Sequence, residues 1–170
     1  MSLIHVVVLV IAAVACVWDL RTRRIPNVLT FGAAACAILF HLATGGLQGG
    51  LASVGGWVVG IAVLFAPFAL GGMGAGDVKL LGALGAWLGP ADALWLTLYT
   101  GTCGAMVALV FAAIHGYLPQ ALRNIWLLLS YWRVMGLRPM AELTLHAGTG
   151  PRLAYATSIL AGTVATLWFR

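Results

Sequence analysis

The stretch MSLIHVVVLVIAAVACVWDLRTRRIPN, residues 1–27, decides the class of fold. From Ser2 to Trp18 it carries no acidic residue, Lys or Arg; then come Asp19, the arginines Arg21, Arg23 and Arg24, and Ile25-Pro26-Asn27. An apolar run of roughly 17–25 residues is what a helix needs to cross a bilayer. An acid and three arginines closing such a run mark a membrane edge. Pro26 suits the opening of a second helix, because its missing N–H would lack a partner there anyway. No Lys or Arg precedes the apolar run, so the basic region of a signal peptide is absent, and Ala13-Val14-Ala15-Cys16 lacks the Leu that opens a lipoprotein processing site. The segment reads as a retained helix.

Outward from this stretch the pattern repeats. By the same length criterion, candidate spans fall at 2–18, 28–44, 51–70, 78–91, 93–115 and 153–169. Residues 120–135 are apolar but carry an Arg near each end, which predicts a helix lying in the membrane interface, with a seventh span as the alternative. The expected fold is therefore all-α: one polytopic bundle over residues 1–170, with about six transmembrane helices and one interfacial helix. Composition agrees, with 62% hydrophobic residues, 8% charged residues and a mean hydropathy of +1.04. In soluble domains about a quarter of residues are charged. The formal net charge of +5 does not point to nucleic acid, because the basic residues form no run or stripe.

Their placement instead orients the chain. With the first loop in the cytoplasm, Arg21, Arg23, Arg24, Lys79, Arg123, Arg133, Arg138 and Arg152 all face inward, and only Arg170 faces out. The positive-inside rule favours that arrangement, which puts both termini outside. Glycines four apart, at Gly45/Gly49, Gly46/Gly50, Gly56/Gly60 and Gly85/Gly89, predict close helix packing. The three cysteines, Cys16, Cys36 and Cys103, lie in apolar stretches without a CxxC pair and read as packing residues. His5, His41, His115 and His146 are scattered and the seven Trp fit packing or belt positions, so neither a metal site nor a cofactor is expected.

Only four acids occur: Asp19, Asp77, Asp92 and Glu142. On the topology drawn from Lys and Arg, Asp19 and Asp77 reach the same cytoplasmic edge, Asp92 lies opposite, and Glu142 falls in a cytoplasmic loop. Taken singly, Asp19 could be neutralised by a neighbouring arginine and Asp77 could be a helix N-cap. Taken together, they converge on one face. Two nearby carboxylates cannot easily both ionise and share a proton, so the charged member can activate water while the neutral one polarises a carbonyl.

The second motif is Gly71-Gly72-Met73-Gly74-Ala75-Gly76-Asp77-Val78-Lys79-Leu80, in which Gly74, Gly76 and Asp77 form GxGD. Glycines before the acid let the backbone bend and admit water or an extended peptide. Lys79 either tunes or steadies this motif or anchors the helix at the interface; two residues on, it points away from Asp77. Asp19-x5-Ile25-Pro26-Asn27 together with GxGDxKL resembles the type IV prepilin peptidase family of intramembrane aspartyl proteases. Arg152 to Ile159 loosely resembles that family's last helix, with Ala154 where a Pro usually precedes Tyr155.

The resemblance implies catalytic residues at Asp19 and Asp77, and motif or substrate-binding positions at Gly74, Gly76, Lys79, Pro26 and Asn27. It implies a pilin or pseudopilin precursor as substrate, a bacterial inner-membrane location with the site at the cytoplasmic face, no metal and no cofactor. The insertion with paired cysteines found in larger members is missing, so the short, peptidase-only form of tight-adherence (Flp) systems is expected, without methyltransferase activity. Alternatives are a small proton-linked transporter, an inactive assembly subunit of a secretion machine, or another GxGD enzyme such as a preflagellin peptidase. A transporter would more often show repeated halves, and none is visible.

Overall fold

In a computed structural model, which describes residues 2–116, 118–136, 138 and 154–170, each apolar run becomes a helix. The order is α1 (Leu3–Thr22), α2 (Asn27–Ala69), α3 (Ala75–Leu88), α4 (Pro90–Ile114), α5 (Leu118–Met135) and α6 (Tyr155–Phe169). Among the described residues there is no strand. Three helices, α1, α2 and α4, are long and apolar enough to cross a membrane by length and composition; α6 is a shorter apolar helix. Glu142, His146 and Arg152 lie outside the described residues.

The candidate spans 28–44 and 51–70 emerge as a single element of 43 residues rather than as two helices with a loop. Gly46 breaks it, with φ 60 and ψ −153. A side chain at Gly49 would run into the backbone carbonyl of His41, and one at Gly50 would meet Leu42. In an unbroken helix residues eight apart are separated by about 12 Å. The chain therefore doubles back at Gly46, and α2 is a hairpin of two helical limbs joined by almost no loop. Only glycine adopts such a backbone without strain.

This hairpin wraps α3. In the second limb, a Cβ on Gly56 would collide with Gly85, and one on Gly60 would lie 2.7 Å from the Leu81 carbonyl. The limb thus runs antiparallel to α3 with backbones in contact, the approach that small residues permit. The first limb runs parallel to α3 on another side: Lys79 meets Asn27 and Phe31 near its start, and Trp87 donates from Nε1 to the Ala33 carbonyl at 3.0 Å. Consequently Val78 and every residue from Leu80 to Trp87 are buried. The last carbonyls of a helix have no partner within it and must find one elsewhere. Ser53 donates to the Ala86 carbonyl at 2.8 Å, the His41 ring nitrogen Nε2 contacts that of Trp87 at 3.0 Å, and Gly89 N–H closes onto that of Gly85 at 2.8 Å. Since a carbonyl only accepts, His41 carries its proton on Nε2.

Helices α4 and α6 complete the bundle in antiparallel register. Gly104 packs against Tyr155 and Ser158, Gly162 against Thr100, and Arg170 Nε pairs with Asp92 Oδ1 at 3.3 Å. The last pair joins the start of α4 to the end of α6. It gathers the acid and the base assigned to the outer side at one end of the bundle. Helix α5 stands apart: none of its residues is buried, and it is the most strongly amphipathic of the helices.

These contacts predict a graded response to added methyl groups. Gly56→Ala forces two backbones apart and is expected to cost about 1–3 kcal/mol. Gly32→Ala, with nothing within 4 Å of the new carbon, is expected to leave stability unchanged or raise it slightly. Thermal unfolding of both variants in detergent measures the difference.

Candidate active site

Asp19 ends up buried, with 8% of its surface exposed, in the last turn of α1. The helix stops because Arg23 turns into the left-handed region at φ 54, and its N–H caps the Asp19 carbonyl at 2.8 Å. The turn that follows is short, and α2 begins at Asn27 behind Pro26, whose carbonyl accepts from Leu29 and Thr30 N–H.

Asp77 is not the N-cap of its helix. Gly74 holds that position in an extended conformation, and Asp77 is the third residue of the first turn. Its carboxylate accepts a hydrogen bond from the Gly74 backbone N–H. An N3 acid reaching back to the N-cap amide is half of a capping box, and the negative charge also complements the helix dipole. The local sequence thus fixes the side chain of Asp77 without help from the rest of the fold.

The two acids meet. Asp19 lies close enough to Asp77 for their charges to interact, and Tyr155, the first residue of α6, is within electrostatic range of Asp77. The end of α1, the start of α3 and the start of α6 therefore converge. Asp92 does not join them: it sits at the other end of the bundle with Arg170.

The motif glycines each have a nearest neighbour. A Cβ on Gly74 would fall 3.1 Å from Oδ2 of Asp77, so the residue that donates the capping N–H must also leave room for the carboxylate it caps. A Cβ on Gly76 would fall 3.2 Å from Cβ of Ile25, so the GxGD helix start and the Ile-Pro-Asn turn are packed against each other. Lys79 extends the same junction: Nζ donates to Asn27 Oδ1 at 3.0 Å and lies 5.2 Å from the centre of the Phe31 ring. It reaches neither carboxylate.

Of the residues singled out in the sequence, Asp19, Asp77, Gly74, Gly76, Lys79, Pro26 and Asn27, the structure puts Gly74 beside Asp77, Lys79 on Asn27, and Gly76 against Ile25 in the turn that holds Pro26. Ile25 entered the sequence reasoning only as part of the Ile-Pro-Asn motif and Tyr155 only in the loose match to the last helix, neither with a role in the site. The packing role of Ile25 had a signal, an apolar side chain between two arginines and Pro26 that needs a covered surface. For Tyr155 the signal was an aromatic residue opening the last apolar run, which by itself is common.

A family model described as the type IV leader peptidase family matches residues 6–109, more than half of the chain. The match contains both aspartate motifs and ends within α4, short of α5 and α6. No curated protein and no solved structure matches the chain.

The Gly76–Ile25 contact yields a compensating pair. Gly76→Val is expected to lower stability by about 1–3 kcal/mol through overpacking. Adding Ile25→Ala opens the same space and should recover most of the loss. Melting temperatures of the two single variants and the double variant test this coupling.

Proposed function

Because the chain belongs to the type IV leader peptidase family, we propose that it is a membrane aspartic endopeptidase whose working pair is Asp19 and Asp77. The observation that carries this reading is the convergence of two acids, far apart in sequence, on one junction, with Asp77 capped by Gly74 and within reach of the Asp19 charge. Near the hydrocarbon of a bilayer a carboxylate is expensive, and two together are more so unless they share a proton.

In the proposed reaction the charged carboxylate removes a proton from water, and the water attacks the scissile carbonyl while the neutral carboxyl donates to its oxygen. The resulting gem-diol collapses as a proton is delivered to the departing amine, so water is consumed and no metal is required. The substrate is the precursor of a pilin or pseudopilin, which offers an apolar helix in the membrane and a short leader at the surface. Bare backbone at Gly74 and Gly76 gives an extended peptide an edge to approach.

The placement that supports this chemistry is a six-span bundle in a bacterial inner membrane, with both termini outside and α5 on the cytoplasmic interface. The positive charges favour that orientation. The pairing of Asp92 at the start of α4 with Arg170 at the end of α6 supports that orientation, which assigns both to the outer side. The short, peptidase-only form is the one compatible with a chain that has no paired-cysteine insertion.

Cleavage of a pilin precursor by the purified protein in lipid or detergent tests the reading. Asp19→Asn and Asp77→Asn are each expected to abolish leader removal, whereas Asp92→Asn is expected to retain it. Unimpaired cleavage by both of the first two variants would leave the pair without a role. A transporter using the same acids would cleave nothing and would instead move protons across proteoliposomes.

Wild-type cleavage should also pass through an optimum with pH. The mechanism needs one carboxyl charged and one neutral, so the rate falls at low pH when both are protonated and at high pH when both are ionised. A rate that climbs monotonically to a plateau would contradict a shared proton.

A further inference from the structure

The contact between Lys79 and Asn27 lies outside the carboxylate pair, yet it joins the two segments that carry that pair. Lys79 stands two residues after Asp77 on α3, so it projects from a different side of the helix. Asn27 is the first residue of α2, immediately after the turn that leads out of the Asp19 helix. A lysine at a membrane edge ordinarily extends its ammonium into water. Here the ammonium, still at the surface, is held by the protein, donating to Asn27 Oδ1 at 3.0 Å and resting 5.2 Å from the centre of the Phe31 ring. An aromatic face attracts a cation, so the side chain is held from two directions.

We infer that Lys79 and Asn27 form a positioning strap that fixes the turn at residues 23–26 against the start of α3 and thereby sets the separation of Asp19 and Asp77. The strap has a companion in Ile25, whose Cβ lies where a Cβ of Gly76 would come within 3.2 Å. Two attachments, one apolar at Gly76 and one polar at Lys79, pin a short turn on residues of α3 three positions apart. With one attachment the turn could pivot; with two it has a defined orientation. The turn is also the covalent link between Asp19 and α2, so its orientation is transmitted to the end of α1. Neither Lys79 nor Asn27 touches the reacting groups in this account. Paired catalytic groups tolerate little error, and a displacement near 1 Å can reduce a rate by about a hundredfold.

The inference rests on Asp19 and Asp77 being the working pair, and its test keeps the two apart. Lys79→Met retains the length of the side chain without a donor, Asn27→Leu retains bulk without an acceptor, and Lys79→Arg retains the charge and the donor. Precursor cleavage and hydrogen exchange of the peptide covering residues 20–28 would be measured for each variant and for the Lys79→Met/Asn27→Leu double variant. Loss of the strap is expected to lower kcat by roughly ten- to a hundredfold while KM stays within about twofold.

Exchange over residues 20–28 is expected to quicken in the same variants, with the core of α3 as protected as in wild type. The double variant should be no worse than either single one, since both remove one contact, and Lys79→Arg should keep most of the activity. Unchanged kcat, a loss confined to KM, additive losses, or unaltered exchange in the turn would each overturn the strap. A wild-type protein inert on every precursor would instead sink the carboxylate-pair reading, and exchange alone would then decide whether Lys79 holds the turn.

Discussion

The close approach of α3 to the second limb of α2 is the constraint on which the remaining geometry depends. Gly56 and Gly60 meet Gly85 and the Leu81–Gly82 backbone with no room for a side chain between them. In lipid, apolar side chains gain little from contact with each other over contact with acyl chains, so tight van der Waals packing between helices matters more than burial as such. At 14 residues, α3 is about 21 Å long, well short of the ~30 Å hydrocarbon thickness. Surrounded as it is, it can be this short without exposing its ends to lipid. Its position in turn decides where Asp77 sits.

From that anchored helix start, the site can be rebuilt from local rules. Gly74 caps, Asp77 returns the bond, and the absence of a Cβ at Gly74 leaves space for the carboxylate. Gly76 leaves space for Ile25, and Lys79 reaches Asn27. The spacing in GxGDxKL thus has a physical reading residue by residue: alternate positions of one helix start serve its own acid and the neighbouring turn. Asp19 needs a different device, a left-handed residue at Arg23 that ends α1 sharply and keeps the acid buried at its edge.

Much of this was legible in the sequence because apolar run length and the distribution of charge are strong local signals. They gave the helical class and helices close to the expected segments, and they pointed Asp19 and Asp77 to one membrane edge. The reversal at Gly46 was not legible: residues 45–50 hold four glycines, and nothing in their order says which one takes the left-handed conformation. Asp77 looked like an N-cap because Asp prefers that position, but Gly74 is extended in its place and the helix begins three residues earlier than its hydropathy suggests. The Lys79–Asn27 contact escaped because hydropathy describes how a helix meets its solvent and says nothing about which side chain of another helix stands opposite.

The reception of the α3 carbonyls by His41 and Ser53 has a consequence for how the protein is made. Both recipients belong to α2, which leaves the ribosome before α3 does. The hairpin therefore acts as a template: it presents a hydroxyl and an imidazole whose natural partners have not yet been synthesised. Outside that cradle a helix of this length would leave terminal backbone groups facing hydrocarbon, where each unsatisfied group costs several kcal/mol. Formation of α3 is thus tied to its docking on α2. The segment that carries Asp77 does not complete its hydrogen bonds alone, and its end cannot settle until its receptor has formed.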